Sequence, residues 1–204
     1  MKLVVVSQRV DYLSERNETR DSLDQRLVRF LQLADCFVMP IPNVTQLKSE
    51  SEIGKKALVE SFLDKAAPSA IVLSGGNDIG EYPDRDKTEH ALLDYAERQH
   101  LPVLGICRGM QLMAVRNGAT LLAVEGYVGT RQEIKGEICR EITCYHKFAV
   151  ARVPTDFSAL AHSKDGTIEA IRHIKLPWEG WMWHPEREQV FSLRDIERLK
   201  ALFI

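Results

Sequence analysis

Cys107 lies at the end of a short apolar run, in surroundings typical of a nucleophile. Residues 103–106 precede it, and Gly109 follows at the start of a stretch with helical character. This layout predicts a strand, a sharp turn with the cysteine at its apex, and a helix, with Gly105 and Gly109 allowing close backbone approach. The positive end of a helix dipole favours the reactive thiolate, so the segment predicts covalent catalysis.

A cysteine nucleophile needs a base, and the segment Trp183-His184-Pro185-Glu186 supplies a candidate. Pro185 favours an extended conformation at His184, which predicts that His184 and Glu186 project to the same side. Glu186 would then orient the imidazole while its other nitrogen faces Cys107. Taken alone, a His-x-Glu segment usually marks polar surface and a cysteine after a strand is usually a core residue. Their joint occurrence favours a catalytic triad of Cys107, His184 and Glu186.

A third segment predicts an oxyanion hole. Ser74-Gly75-Gly76-Asn77 follows an apolar strand, and glycines there let backbone N–H groups approach a ligand closely. We expect N–H groups at Gly75 and Gly76, together with the N–H of Arg108, to hold a tetrahedral oxyanion, and Asn77 to contact the substrate. The alternative is a plain turn between a strand and a helix, which the same residues would also form.

Composition places the chain among ordinary α/β proteins. Its 204 residues carry 27 Lys and Arg against 29 Asp and Glu, which gives no general nucleic-acid footprint. No apolar stretch approaches the roughly 20 residues that span a membrane, and the amino terminus reads as a first strand and not a signal peptide. The four cysteines form no CxxC pair, so we expect reduced thiols, a cytoplasmic location, and no metal site.

The chain alternates strands and helices up to about residue 118 and then changes to strands and hairpins. This order predicts a single α/β domain over 1–204, a flavodoxin-like three-layer sandwich with a mostly parallel central sheet, helices on both faces, and a small antiparallel addition in the carboxyl-terminal half. We expect residues 125–137, with three glycines, to be a mobile loop. Strands are predicted at 2–6, 36–40, 69–73 and 101–105, and a polar loop of about ten residues is predicted after the first strand. Helices are predicted at 19–34, 52–66, 86–99, 108–118 and 192–202.

Four motifs carry a resemblance to a known superfamily: LSGGND, GICRGMQ, TCYHKFAV and WMWHPERE. In this order they resemble the class I glutamine amidotransferases, and within them the stand-alone γ-glutamyl hydrolases of the peptidase C26 type. The resemblance implies that Cys107 is the nucleophile, His184 the base and Glu186 its orienter, with no cofactor required. It also implies that the substrate is a small γ-glutamyl compound.

The same resemblance assigns residues to the glutamyl group. Gln111 matches the glutamine after the nucleophile, and Tyr145-His146 match a loop that grips the α-carboxylate and α-amino groups. That loop usually begins Asn-Ser, whereas this chain has Thr143-Cys144, which departs from the family pattern. Glu169, on the strand before the triad histidine, is predicted to pair with the α-ammonium.

The amino-terminal segment resembles a smaller subgroup, the hydrolases of N5-(cytidine 5′-diphosphoramidyl)-L-glutamine found with capsule phosphoramidate biosynthesis. Arg9, Glu18 and Arg20 are its candidate residues, because guanidinium groups bind phosphate oxygens bidentately. The alternative is that the arginines pair with neighbouring carboxylates on a helix face. We favour that alternative for Arg26 and the site for Arg9, which follows the carboxyl end of a strand; Glu18 and Arg20 stay open.

Two other functions are also compatible with the sequence. One is a γ-glutamyl-GABA type hydrolase, and the other is a glutaminase subunit that supplies ammonia to a synthase partner. A degenerate, non-enzymatic binding protein is disfavoured because all three triad residue types are present. The leaving group and the oligomeric state stay open.

Overall fold

The fold is that of a computed structural model, which describes residues 1–43 and 52–204. A nine-stranded sheet dominates it, with strand order β4-β1-β5-β6-β13-β12-β11-β8-β9, and two small two-stranded sheets pair β2 with β3 and β7 with β10. The strands are β1 Lys2–Ser7, β2 Arg9–Leu13, β3 Glu18–Ser22, β4 Cys36–Ile41, β5 Ala70–Leu73, β6 Val103–Ile106, β7 Leu121–Ala123, β8 Thr130–Gly136, β9 Arg140–Cys144, β10 Phe148–Val150, β11 Phe157–Ser163, β12 Ile168–His173 and β13 Trp178–Trp181. The helices are α1 Gln25–Leu33, α2 Glu52–Ala66, α3 Pro83–Gln99, α4 Arg108–Arg116 and α5 Leu193–Leu202.

The sheet has a parallel and an antiparallel part. Strands β4, β1, β5, β6 and β13 run parallel, and β12, β11, β8 and β9 continue the sheet in antiparallel pairs. Strands β5, β6 and β13 are buried along their whole length, as expected of strands covered on both faces. The predicted α/β class, with an antiparallel addition after the parallel core, is confirmed. None of the described helices has the length and apolar character needed to span a membrane.

The parallel strands deliver the candidate residues to one edge of the sheet. Because β1, β5, β6 and β13 run in the same direction, the residues that follow them meet at their carboxyl ends. Ser74 follows β5, Cys107 follows β6 and His184 comes shortly after β13. The topology alone therefore gathers three segments that are far apart along the chain.

The segment after β1 differs from its prediction. Instead of a polar loop followed by a helix from residue 19, β2 and β3 form an antiparallel hairpin, with Tyr12 opposite Thr19. Asn17 turns the chain in the left-handed conformation, and the Tyr12 hydroxyl donates to its side chain at 2.9 Å. Helix α1 begins only at Gln25, where the Asp24 side chain accepts the N–H of Arg26. The spacing of apolar residues therefore predicts a helix from residue 19, whereas the observed helix begins at Gln25.

The glycine-containing segment 125–137 also differs from its prediction. Most of it forms β8, which pairs with β9 on one side and with β11 on the other. Pairing with β9, the next strand along the chain, and with the more distant β11 gives this segment backbone partners that local composition does not reveal.

Helix α4 packs very closely on the strands beneath it. A Cβ on Gly109 would lie 2.4 Å from the carbonyl oxygen of Leu73, and one on Gly105 would lie 2.7 Å from the backbone of Gly109. Only glycine therefore lets the helix start directly above β5 and β6. This close contact fixes the orientation of the turn at Cys107.

The change Gly109→Ala is expected to destabilise the fold, because the added methyl group meets backbone that has no flexible side chain to yield. Overpacking of this kind costs about 2 kcal/mol, which corresponds to a fall of roughly 4–8 °C in the unfolding midpoint of a chain of this size. Thermal unfolding followed by circular dichroism measures the shift. An unchanged midpoint would contradict this account of the helix packing.

Candidate active site

Cys107 occupies a strained turn between β6 and α4. Its backbone has φ 50° and ψ −102°, which L-residues rarely adopt and which is typical of nucleophiles held at a turn apex. The turn is held by two hydrogen bonds: the Cys107 N–H donates to the carbonyl of Trp181 at 2.7 Å, and its own carbonyl accepts from the N–H of Gln111 at 3.0 Å. The thiol is thereby presented at the amino-terminal end of α4.

His184 and Glu186 form a close buried pair. Nδ1 of His184 lies 2.6 Å from Oε1 of Glu186, and both side chains are almost fully buried. His184 itself has extended backbone, but Pro185 begins a short 3-10 turn, Pro185–Arg187, so the two side chains meet through a turn and not along an extended chain. The pairing of Nδ1 leaves Nε2 as the nitrogen that can serve Cys107.

The surroundings raise the pKa of His184 to about 9. Burial disfavours the imidazolium, but hydrogen bonds with Cys107 and Glu186, together with their negative charges, more than offset the burial. The imidazolium is therefore stabilised between a sulfur and a carboxylate. This arrangement suits a proton that moves between the thiol and the imidazole.

Arg26 anchors the turn that carries Glu186, a role that sequence reasoning missed. Its guanidinium donates to the carbonyl oxygens of Glu186, at 2.7 Å, and of Glu188, and stacks on the ring of Phe191 at 5.1 Å. The predicted pairing of Arg26 with carboxylates on a solvated helix face is wrong. No local signal in the sequence could have revealed a contact between residues so far apart along the chain.

A cavity of about 320 Å³ opens beside Cys107 and His184. It brings together residues from the three segments gathered at the sheet edge and from the β9–β10 loop. Its lining residues are Arg9, Gly76, Asn77, Asp78, Glu81, Cys107, Arg108, Gln111, Tyr145, His146, Lys147, His184 and Arg187. Lys147 is a basic candidate that the sequence itself offers, whereas Arg187 was not assigned to the site, although it adjoins Glu186 in the chain.

The predicted oxyanion residues lie around the catalytic pair. Gly75 lies against the imidazole of His184, where a Cβ would be 2.4 Å from Cε1. Gly76 and Arg108 line the cavity beside Cys107, and Gly76 has φ +85°, which favours glycine. The Arg108 side chain is buried and pairs with Asp86 and Glu89. Its contribution to a ligand is therefore expected from the backbone N–H.

Asn77 joins the hairpin of β2 and β3 to the predicted oxyanion loop, residues 74–77. Its side chain accepts the N–H of Val10 at 2.8 Å and donates to the carbonyl of Val10 at 3.0 Å, much as a paired strand would. The amide of Asn77 is thus occupied by protein backbone. Arg9, next to Val10, lies over Gly76 and pairs with the half-exposed Asp11 at 2.8 Å.

Glu18 and Arg20 lie on strand β3 and pair with each other at 2.6 Å on the exposed side of the hairpin. They are absent from the residues that line the cavity. Mutual hydrogen bonding lowers the pKa of Glu18 and raises that of Arg20. The structure therefore brings Arg9 to the site but leaves Glu18 and Arg20 at a distance from it.

Of the residues assigned to the glutamyl group, Gln111, Tyr145 and His146 line the cavity. The buried Gln111 donates to the carbonyl of Phe148 at 2.8 Å, which joins α4 to β10. The ring of Tyr145 meets that of His184 edge to face at 5.7 Å, and the Arg187 guanidinium lies 4.7 Å from the Tyr145 ring. Tyr145 therefore contacts both the catalytic histidine and a cation of the cavity wall.

Beneath this wall, His146 and Glu169 form a fully buried pair. Nε2 of His146 lies 3.5 Å from Oε1 of Glu169, and the Tyr127 ring packs on the imidazole at 4.6 Å. The Glu169 carboxylate has no hydrogen-bond partner among the described residues and is not part of the cavity lining. Its predicted contact with an α-ammonium would require the ligand to reach past His146.

Cys144 completes a candidate metal-binding group with this pair. Its sulfur and the donor atoms of His146 and Glu169 all lie within 4.8 Å of one another. Burial, followed by the charge of Glu169, raises the pKa of the Cys144 thiol well above its ordinary value.

Comparisons with known proteins agree with this geometry. Residues 18–196 match the family described as glutamine amidotransferase class-I. The γ-glutamyl-CDP-amidate hydrolase of Campylobacter jejuni is 33% identical over 140 residues, which cover 66% of this chain and 69% of that protein. A glutamine-hydrolyzing GMP synthase component of Methanocaldococcus jannaschii is 33% identical over 156 residues, covering 72% and 73% of the two chains.

Solved structures share the fold. A GMP synthase component from Thermoplasma acidophilum superposes with a TM-score of 0.70 at 21% identity and covers 100% of this chain and 94% of its own. A glutamine amidotransferase from Thermotoga maritima superposes with a TM-score of 0.61 at 18% identity, covering 98% and 83%. Both confirm the three-layer architecture predicted for this chain.

The raised pKa of His184 predicts a stability that depends on pH. Because its folded-state pKa, about 9, lies above the ordinary 6.5, the stabilisation is complete below pH 6.5 and is lost as the pH rises through 9. Glu186→Gln removes one cause of the shift, so this variant should lose less stability across that window, by on the order of 1–3 kcal/mol.

Urea unfolding at about pH 6 and about pH 9 measures this difference, with the exposed Glu197→Gln as the control. Equal pH dependence in the wild type and in Glu186→Gln would show that the carboxylate does not stabilise the imidazolium.

Proposed function

Because the chain belongs to the class-I glutamine amidotransferase family, we propose that it hydrolyses a γ-glutamyl amide bond through a thioester on Cys107. One observation carries the proposal: a cysteine in a strained turn at a helix start faces a buried histidine that is paired with a carboxylate. This combination supplies a nucleophile, a base and an orienter for the base. None of these groups requires a metal or an organic cofactor.

In the first half of the reaction, the Cys107 sulfur attacks the γ-carbonyl carbon of the substrate. The carbonyl π bond opens and leaves a tetrahedral oxyanion, which the backbone N–H groups around Gly75, Gly76 and Arg108 stabilise. His184, which holds the proton from the thiol, transfers it to the leaving nitrogen. The carbon–nitrogen bond breaks, and a γ-glutamyl thioester and a free amine or phosphoramidate result.

In the second half, water replaces the leaving group. His184 removes a proton from the water as its oxygen attacks the thioester carbon, and the same backbone donors hold the second oxyanion. Collapse of this intermediate breaks the carbon–sulfur bond, releases glutamate and returns the proton to the Cys107–His184 pair. The hydrogen bond that Nδ1–H of His184 donates to Glu186 keeps the imidazole oriented in both halves.

We further propose that the substrate is N5-(cytidine 5′-diphosphoramidyl)-L-glutamine and that the second product is cytidine diphosphoramidate, as in capsule phosphoramidate biosynthesis. Three cations support this leaving group: Arg9, Lys147 and Arg187 line the cavity. Asp78 and Glu81 line it as well, so the diphosphate is expected on the side of the arginines. The similarity to the Campylobacter hydrolase, whose name describes this class of activity, agrees with the proposal.

Within this proposal, Arg9 is the cation best placed for the diphosphate. It lies over Gly76, is half exposed, and can exchange its contact with Asp11 for phosphate oxygens. Glu18 and Arg20 stay predictions for the nucleotide side of the substrate. Gln111, Tyr145, His146 and Glu169 are proposed for the glutamyl group, and Asn77 for the cavity wall through its backbone N–H.

A second candidate is a glutaminase that delivers ammonia to a synthase partner. It is favoured by the similarity to GMP synthase components in sequence and in fold. Strong hydrolysis of free glutamine by the isolated chain would favour a simple glutaminase, and a preference for γ-glutamyl-GABA would favour a third type of hydrolase. In every case we propose one amidotransferase domain over 1–204, a small-molecule substrate and a cytoplasmic location.

The change Cys107→Ala should abolish hydrolysis of every γ-glutamyl substrate, with a fall in kcat of at least about 10⁴-fold, because the variant has no sulfur at this position to form the thioester. The fold should persist, since the substitution removes only a sulfur from the cavity wall. A product assay by liquid chromatography and circular dichroism test both parts. Turnover near the wild-type rate would refute covalent catalysis at this residue.

The leaving group is tested by comparing substrates in Arg9 variants. We expect Arg9→Ala to raise KM for cytidine diphosphoramidyl-glutamine by about tenfold or more while changing KM for glutamine less than about threefold, because only the former carries the diphosphate.

Arg16→Ala, at the exposed end of the same hairpin, is the matched control, and Arg20→Ala is expected to have the smaller effect of a residue outside the cavity lining. Equal changes in KM for both substrates would contradict a diphosphate contact at Arg9.

A further inference from the structure

One guanidinium group donates hydrogen bonds to every residue of the oxyanion loop, residues 74–77. Arg85, in the first turn of α3, has a fully buried side chain. It donates to the carbonyl oxygens of Ser74 at 2.8 Å, of Gly75 at 3.1 Å, and of Gly76. The same group donates to the side-chain oxygen of Asn77 at 2.9 Å. Four consecutive residues are therefore held by a single side chain.

Fixing these carbonyl groups also fixes the N–H groups. In a trans peptide unit, the carbonyl of one residue and the N–H of the next point in opposite directions. With the carbonyls of Ser74, Gly75 and Gly76 turned toward Arg85, the N–H groups of Gly75, Gly76 and Asn77 point away from it. Gly76 and Asn77 line the cavity beside Cys107, which is the direction a developing oxyanion would occupy.

The loop needs this external support because its backbone is unfavourable. Gly76 has φ +85° and Asn77 has φ 52°, so two consecutive residues have positive φ angles. Such a conformation persists only when its surroundings hold it. Five donor contacts from one rigid, planar group meet this requirement in a way that no single lysine ammonium can.

A buried carboxylate holds Arg85 in turn and joins both halves of the proposed oxyanion hole. Oε1 of Glu89 accepts from Nε of Arg85 at 3.0 Å and from the hydroxyl of Ser7 at 2.7 Å, and that hydroxyl accepts the N–H of Ser74 at 3.0 Å. Glu89 also pairs with Arg108, which follows the nucleophile. The oxyanion loop and the turn at Cys107 are thus tied to one carboxylate.

We propose that Arg85 is a positioning residue for the oxyanion hole and acts through the backbone of residues 74–77. The proposal rests on the acyl transfer proposed at Cys107. The Arg85 side chain is fully buried and is not among the residues that line the cavity, so its effect is on the direction of the N–H groups and not on the substrate itself. Ion pairing with Glu89 offsets the cost of burying the guanidinium and keeps its planar face toward the loop.

Arg85→Lys distinguishes positioning from a merely structural role. Two reactions of Cys107 are compared: acylation by p-nitrophenyl acetate, which forms an oxyanion, and alkylation by iodoacetamide, which forms none. We expect acylation to slow by at least about tenfold and alkylation of the Cys107 peptide, followed by mass spectrometry, to change by less than about twofold. Arg98→Lys, on the exposed side of the same helix, is the matched control and should change neither rate.

Two results would overturn the proposal: acylation within about twofold of the wild-type rate, or an equal fall in both reactions, which would mark a general distortion of the turn. If Arg85→Lys does not fold, Ser7→Ala tests the same anchoring, because it removes the acceptor for the Ser74 N–H and a donor to Glu89. It should slow acylation by about threefold or more without changing alkylation, and unchanged acylation would again overturn the proposal.

The ester assay also separates this proposal from the proposed function. It requires only a nucleophilic Cys107 and an oxyanion hole, and no glutamyl group. A wild-type protein that is acylated by the ester but cleaves no γ-glutamyl amide would contradict the proposed function and leave the test of Arg85 intact.

Discussion

The strained backbone of Cys107 is the constraint on which the site depends. The strain exists because α4 must begin directly above β5 and β6, at a distance that only glycine at position 109 permits. Parallel pairing of β6 with β5 and β13 holds the turn from below and supplies the carbonyl of Trp181 that accepts the Cys107 N–H. Close packing of a helix on parallel strands thus places the Cys107 thiol at the start of the helix, beside the cavity.

Two arginines hold the irregular segments that act with that thiol. Arg26 binds the carbonyl of Glu186 and so fixes the turn that orients His184, while Arg85 binds the carbonyls of the oxyanion loop. Both act on backbone oxygens, because irregular segments have carbonyls that no helix or strand satisfies. A guanidinium with five donors in a plane meets several such acceptors at once. The groups that we propose for catalysis are therefore held by two arginines that bind the backbone carbonyls of neighbouring segments.

The hairpin of β2 and β3 lies beside the cavity, on the side where we propose that the leaving group binds. Asn77 pairs with the backbone of Val10, so the hairpin sits on the oxyanion loop and carries Arg9 to the cavity. We therefore expect changes in the hairpin to alter the charge on this side of the cavity.

The sequence by itself determined the α/β class, the strand before Cys107, the glycines that the turn requires, and the residue types proposed as nucleophile, base and orienter, because these follow from local periodicity and spacing. It could not determine the hairpin over Arg9–Ser22, the contacts of Arg26, or the cluster of Arg85 and Glu89, although the latter two are one helical turn apart. Only the tertiary structure decided these, because strand pairing and buried ion pairs depend on neighbours that the chain brings together from distant positions.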